Sequence, residues 1–130
     1  MRVFVDTNVW IAALIARGTC AELIEHLIAD HCIWSSPFIR DEIRRVLRNK
    51  FNYSQQRIRE VIEWLDDVCQ FTDPVNEPPQ FTPDRDDDYV LQAALDADAQ
   101  VLVTGDSDLL DENRQVELTI LRPADFWKIG

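Results

Sequence analysis

Short, wholly apolar runs alternate with segments of helical periodicity along the whole chain, and this alternation narrows the folds it can adopt more than any other feature. Val3-Phe4-Val5 and Val101-Leu102-Val103 are the clearest of these runs. Neither alternates apolar with polar residues, so both read as strands buried on two faces, as in a parallel sheet covered by helices. Cys32-Ile33-Trp34 and residues 68–71 and 118–121 are further strand candidates. Helical stretches separate them. One runs through residues 10–15, with Thr7 or Asn8 as its cap and Gly18 at its end. A second turns Leu23, Ile24, Leu27 and Ile28 inward, with Thr19 as its cap. Ser36-Pro37 and Ser54 open two more, residues 86–96 form another, and residues 123–127 a terminal turn. The expected fold is α/β: a three-layer α/β/α sandwich around a mostly parallel sheet of four to five strands. Residues 73–83 carry four Pro and form a stiff connector too short to separate domains, so residues 1–130 are expected to form a single domain. Ligands of such sheets sit outside the carboxyl ends of the strands.

Charge sharpens the question of what that ligand is. There are 24 acids against 13 bases, a net charge of −11. A protein that simply coats nucleic acid would be basic. Either nucleic acid is not the partner, or the acids gather where cations neutralise them. Three Cys at unrelated spacings and two His offer neither a disulfide framework nor a typical zinc site, and fit a reducing cytoplasm. No apolar run reaches the roughly 20 residues that span a bilayer, and the first residues do not read as a secretion signal. A membrane role is not expected.

Several acids fall at the edge where a ligand belongs. Val3-Phe4-Val5 ends in Asp6, and Val101-Leu102-Val103 ends in Thr104-Gly105-Asp106. Asp after a strand is also an ordinary turn residue. The helical acids are harder to dismiss. On the helix that starts at Pro37, with Phe38 at zero, Ile39, Ile43, Val46 and Leu47 fill an arc up to about 180°. Glu42 falls inside it, near 40°, whereas Arg40, Asp41, Arg44, Arg45 and Arg48 lie between about 200° and 340°. Asp87 heads the apolar stripe of Val90, Leu91, Ala94 and Leu95, with Asp88 at its border. Asp98 shares that azimuth at the far end of the helix. No Lys or Arg falls by pattern on the same faces. Buried carboxylates need a partner or a metal. A donor set of carboxylates without His or Cys suits a hard cation, Mg²⁺ or Mn²⁺. Such ions activate water and stabilise the leaving oxygen in phosphodiester cleavage.

Asp6-Thr7-Asn8 after the first strand, Glu42 in a mid-chain helix, Asp87 before an Ala-rich helix and Thr104-Gly105-Asp106-Ser107-Asp108 after a later strand resemble, in order and interval, the motifs of a PIN domain. The resemblance implies an α/β/α sandwich and an Mg²⁺- or Mn²⁺-dependent nuclease acting mostly on RNA. It implies that Asp6, Glu42, Asp87 and Asp106 are the catalytic and metal-holding acids, that Asp108 is a further acid, and that Asn8 and Thr104 support the site. Within the run Asp84-Arg85-Asp86-Asp87-Asp88, the neighbours Asp86 and Asp88 compete with Asp87 for the third position. Small single-domain members are often toxins of toxin–antitoxin pairs, so the resemblance implies an RNA substrate and leaves room for a cognate antitoxin and a homodimer.

Other readings fit less well. A haloacid-dehalogenase-like phosphotransfer enzyme needs D-x-D-x-T, and position 8 is Asn. A catalytically inactive PIN-like binding module would need no acids, and all four are present. G-x-x-x-x-G-K and G-x-S-x-G are both absent. Arg40, Arg44 and Arg48 form the candidate RNA-binding strip, beside Arg45, Lys50, Arg57 and Arg59. The four Trp read as core, and Trp10, one turn beyond Asp6, is the candidate base-stacking exception.

Overall fold

The strands form a single all-parallel sheet. The computed structural model describes residues 1–74, 77–112 and 117–129; Val75 and Asn76, within the expected connector, lie outside them. β1 (Arg2–Val5), β2 (Cys32–Ser35), β3 (Cys69–Phe71), β4 (Val101–Val103) and β5 (Thr119–Leu121) lie in the order β3-β2-β1-β4-β5. The central strands are apolar because both faces are covered: Val3, Phe4 and Val5 are fully buried, as are Leu102 and Val103.

Six α-helices connect the strands among the described residues: α1 (Thr7–Ile15), α2 (Thr19–Asp30), α3 (Pro37–Asn49), α4 (Gln55–Val68), α5 (Arg85–Asp96) and α6 (Ser107–Asp111). A 3-10 turn comes last, at Pro123–Lys128. α1 packs on α2 and α3, α3 packs on α4, and α5 packs on α6. The chain builds β1, β2 and β3 in one direction, then crosses back to place β4 and β5 on the other side of β1. That reversal, with right-handed crossovers, is what lets helices cover both faces of a parallel sheet. It also opens a crevice between the carboxyl ends of β1 and β4, the switch point of the sheet. Among the described residues no helix is long and apolar enough to cross a membrane.

Local chemistry explains most helix boundaries. Ser36 accepts from the Ile39 N–H with Pro37 in the first turn, and Ser54 accepts from the Arg57 N–H. The first helix departs from expectation at both ends. Its cap is Asp6, not Thr7 or Asn8, and it ends at Ile15 with Ala16 extended. Gly18, at φ 152°, precedes α2 instead of closing α1, and Thr19 is the first residue of α2 rather than its cap. α6 leaves no mark in the sequence pattern: five residues are too few for a period to show. Trp10 is fully buried, edge-on to Trp64 at 5.8 Å, so it is core and not a stacking platform.

Candidate functional site

Asp6 sits where β1 becomes α1, and three donors fix its carboxylate. Oδ1 accepts from the Thr7 N–H at 2.8 Å. Oδ2 accepts from Asn8 Nδ2 at 2.8 Å and from Thr104 Oγ1 at 2.7 Å. The last bond ties the end of β1 to the end of β4 and continues the ladder in which the Asp6 N–H donates to the Val103 carbonyl. Asn8 Oδ1 in turn accepts from the Gly105 N–H at 3.0 Å. A Cβ at Gly105 would lie 3.3 Å from that oxygen, so the close approach favours glycine. Asp106 donates its N–H to Thr104 Oγ1 and caps α6 by accepting from the Asp108 N–H. Asn8 and Thr104 thus hold the acids in place.

Glu42 reaches the same crevice from α3. Thr7 Oγ1 donates to its Oε1 at 2.7 Å, and Arg45 Nη2 lies 3.6 Å from its Oε2. Arg45 therefore does reach this face, contrary to its azimuth: a long side chain bridges one turn, i to i+3. Thr7, a helix cap by sequence, has its real partner in an acid 35 residues away.

The five-residue acidic run divides by partner. Asp84 caps α5 by accepting from the Asp86 N–H. Asp88 is fully buried, and its Oδ1 accepts from the Phe81 and Thr82 N–H groups at 2.9 and 2.8 Å while Oδ2 meets Arg85 at 3.2 Å. Burial alone would raise its pKa, but those donors hold it below the ordinary carboxylate value. Asp87 is buried with no Lys or Arg paired to it among the described residues, and its Oδ2 receives no hydrogen bond. Its acidic neighbour Asp106 can share a proton with it but has no donor when both are ionised.

One cavity of about 520 Å³ brings Asp6, Glu42, Asp87 and Asp106 together, with Asp84 and Asp86 also in its lining. Asp108, exposed on α6, offers an oxygen that lies with those of Asp87 and Asp106, all within 4.8 Å of one another. The rest of the wall is largely apolar and includes Ile11, Val46 and Phe51, next to Lys50. Lys50 and Phe51 follow the last residue of α3: its wheel carried on by one residue puts Lys50 at about 120°, on the packing face, but gives no sign of Phe51.

A crowded cluster of this kind, short of cationic partners, shifts its own titrations. Burial raises the Asp6 carboxyl above its ordinary value, the Asp106 charge adds to this, and the bonds from Thr104, Thr7 and Asn8 oppose it. Burial pushes Glu42 up to about 7, helped by the charges of Asp6 and Asp86 and opposed by Thr7 and Arg45. Asp87 rises to about 8, through burial first and then the charges of Asp106, Asp84 and Asp6. An orphaned buried carboxylate oxygen amid other carboxylates fits a hard divalent cation with oxygen ligands.

The expected basic strip is split. Arg40 pairs with Asp66 at 3.0 Å and lies over the Phe71 ring, on the flank near β3. Arg44 and Arg48 line a different cavity, between α3 and α4. None of the three lines the acidic cavity.

A model of the PIN domain family matches residues 2–108. No curated protein matches the sequence significantly. Solved structures of similar fold include VapBC2 from Rickettsia felis bound to a DNA fragment from its promoter, with 14% identity, a TM-score of 0.65, and 92% of this chain and 97% of that one covered. VapBC-1 from nontypeable Haemophilus influenzae is 17% identical at a TM-score of 0.66, over 95% of this chain and 99% of that one. FitAcB from Neisseria gonorrhoeae is 14% identical at 0.60, over 94% and 98%.

Proposed function

This chain belongs to the PIN domain family, and from that premise we propose that it is a metal-dependent endoribonuclease, with residues 1–130 as one nuclease domain. The observation that carries the reading is the buried, unpartnered Oδ2 of Asp87 beside the carboxylates of Asp106 and Asp108. Asp6, Glu42, Asp87 and Asp106 are the catalytic acids, and they hold Mg²⁺ or Mn²⁺ with Asp108 as a further ligand. The bound ion supplies Lewis-acid chemistry: it activates water and neutralises charge on the phosphate and leaving oxygen.

The chain's own residues supply the order. Thr104 and Asn8 hold Asp6 Oδ2 from two sides, and Oδ1, which accepts from the Thr7 N–H alone among the described residues, keeps a lone pair for a ligand in the crevice. Thr7 holds Glu42 Oε1 and leaves Oε2 to exchange a proton, with Arg45 beside it. The apolar wall at Ile11, Val46 and Phe51 excludes water from one side of the cavity. Arg44 and Arg48 bind RNA phosphates; Arg44 and Arg40 each pair with an acid, Asp41 and Asp66, but only Arg44 and Arg48 line a cavity that could seat a strand. The similarity to VapBC and FitAcB structures supports the further reading that the chain is the toxin of a toxin–antitoxin pair, with a cognate antitoxin as partner and a homodimer as its assembly.

The test is cleavage of single-stranded RNA with Mg²⁺, with Mn²⁺ and with EDTA. Cleavage is expected only with the ions, and Asp6→Asn or Asp106→Asn should each lower it about 100-fold or more, the several kcal/mol a metal supplies to such a transition state. Cleavage that persists in EDTA, or in both variants, overturns the metal mechanism.

A further inference from the structure

Basic residues are unevenly placed. Residues 40–59 hold seven of the 13 Lys and Arg in a chain whose net charge is −11. Between α3 and α4 this segment forms a groove of about 570 Å³ lined by Arg44, Arg48 and Arg59, with Tyr53, Gln55 and Ile58 in its walls. No acid lines it among the described residues. Arg44 is steadied by Asp41 at 2.9 Å and Arg48 by Asn49 at 3.4 Å, while Arg59 has no side-chain partner among the described residues. Arg44 and Arg48 stand one helical turn apart, about 6 Å along the axis. The Arg57 guanidinium lies 3.9 Å from the Tyr53 ring, an arrangement that fixes the ring in place.

The groove and the acidic cavity share one turn. Lys50 and Phe51 line the acidic cavity, and Tyr53 lines the basic groove. Asn52 between them adopts φ 57°, and the Tyr53 N–H closes back on the Leu47 carbonyl at 3.0 Å. Successive residues are thereby handed to opposite sides of the end of α3.

We propose that the α3–α4 groove is a remote subsite for the same single-stranded RNA, seating phosphates and bases several nucleotides from the bond that is cut. The inference rests on the nuclease reading above. Charge complementarity selects the occupant: a polyanion is repelled by the bulk of this protein and is drawn to the segment where cations cluster without intervening acids in the groove. Arginine beside an aromatic ring suits unpaired nucleotides, whose phosphates and exposed base faces are both accessible. The substrate is thus a strand long enough to reach from the acidic cavity past residues 50–53 into the groove, and shorter strands forfeit the second contact.

The experiment compares KM for a trinucleotide and a nonanucleotide of the same sequence, in the native chain and in Arg48→Glu/Arg59→Glu. Arg122→Glu/Lys128→Glu, at the far end of the chain, is a control of equal charge. Binding of the labelled nonanucleotide to each of these on an Asp106→Asn background is followed by fluorescence anisotropy, with an oligo-glutamate peptide as competitor. The native chain should show a KM about tenfold or more lower for the longer strand. The groove variant should abolish that step and reduce the salt slope by about 2, the number of phosphate contacts removed. Equal losses in groove and control variants would overturn the subsite, as would oligo-glutamate binding the groove in place of RNA. A native chain that binds RNA through the groove but never cleaves it would overturn the nuclease reading and leave the subsite standing.

Discussion

Asp87 and Asp88 are adjacent on the first turn of α5, yet one is satisfied and the other is not. Asp88 answers two backbone N–H groups and Arg85; Asp87 Oδ2 answers nothing. Substituting each by Asn therefore has opposite expected effects. Burial and the charges of Asp106, Asp84 and Asp6 hold Asp87 largely protonated at pH 7, a cost that Asn spares the fold, so the metal-free Asp87→Asn protein should melt higher at pH 7, on the order of 5 °C. It should also lose cleavage and most of the stabilisation gained from Mg²⁺. Asp88→Asn weakens the acceptor for the 81–82 backbone and should lower stability by about 1–3 kcal/mol. Thermal melts with EDTA and with Mg²⁺, beside one cleavage assay, separate the two; an Asp87→Asn protein that is destabilised yet active would remove Asp87 from the site. Helical phase favours Asp87 within its run and leaves Asp86 and Asp88 as competitors. It cannot show that Asp88 is the more deeply buried, because that depends on a loop folding back from seven residues upstream. Asp98, which shares the azimuth of Asp87, lies beyond the helix at φ 51° and exposed, so its phase carries no meaning.

The helix α3 shows how one element serves three environments. Ile39, Ile43 and Leu47 are fully buried, Glu42 and Val46 line the acidic cavity, and Arg44 and Arg48 line the basic groove. A period of 3.6 residues makes this division legible in the sequence, because it depends only on spacing within the helix. The turn after the helix is not legible in the same way. The placement of Phe51 and Tyr53 depends on Asn52 at φ 57°, a conformation Asn tolerates better than most residues but which its presence in a sequence does not dictate. Replacing Asn52 tests that account. Asn52→Gly should leave stability within about 0.5 kcal/mol of the native chain, whereas Asn52→Val should cost about 1–2 kcal/mol. Urea denaturation measures both, and equal losses would show that the backbone conformation is not what constrains this turn.

At the scale of the whole molecule, the alternation of apolar runs and helices is enough to name the strands, since each run is local. Their order is not readable this way, because placing β4 beside β1 is a pairing across about a hundred residues that no local signal encodes. That pairing brings Asp6 to Asp106, and its electrostatic cost is a property of the fold. Asp6 is raised, Glu42 is raised to about 7 and Asp87 to about 8, from ordinary values near 4. A raised folded-state pKa means that the folded chain holds its protons longer than the unfolded chain does. The associated stability is complete below about pH 4 and is lost as pH rises through the folded values, so the metal-free protein should weaken progressively between about pH 4 and pH 8. Asp88 works the other way: its lowered pKa withdraws stability only as pH falls below the ordinary range, outside this window. The general repulsion of a chain at −11 also weakens the fold as pH rises, but it is screened by monovalent salt. Urea midpoints across this range, in EDTA with high NaCl, should therefore still fall with pH. Glu42→Gln and Asp87→Asn should each flatten the decline, and Mg²⁺ should flatten it further in the native chain by binding only the folded form. A midpoint that stays level or climbs from pH 5 to pH 8 in EDTA would mean that these acids are paired in solution, and the cluster would lose its claim to a cation.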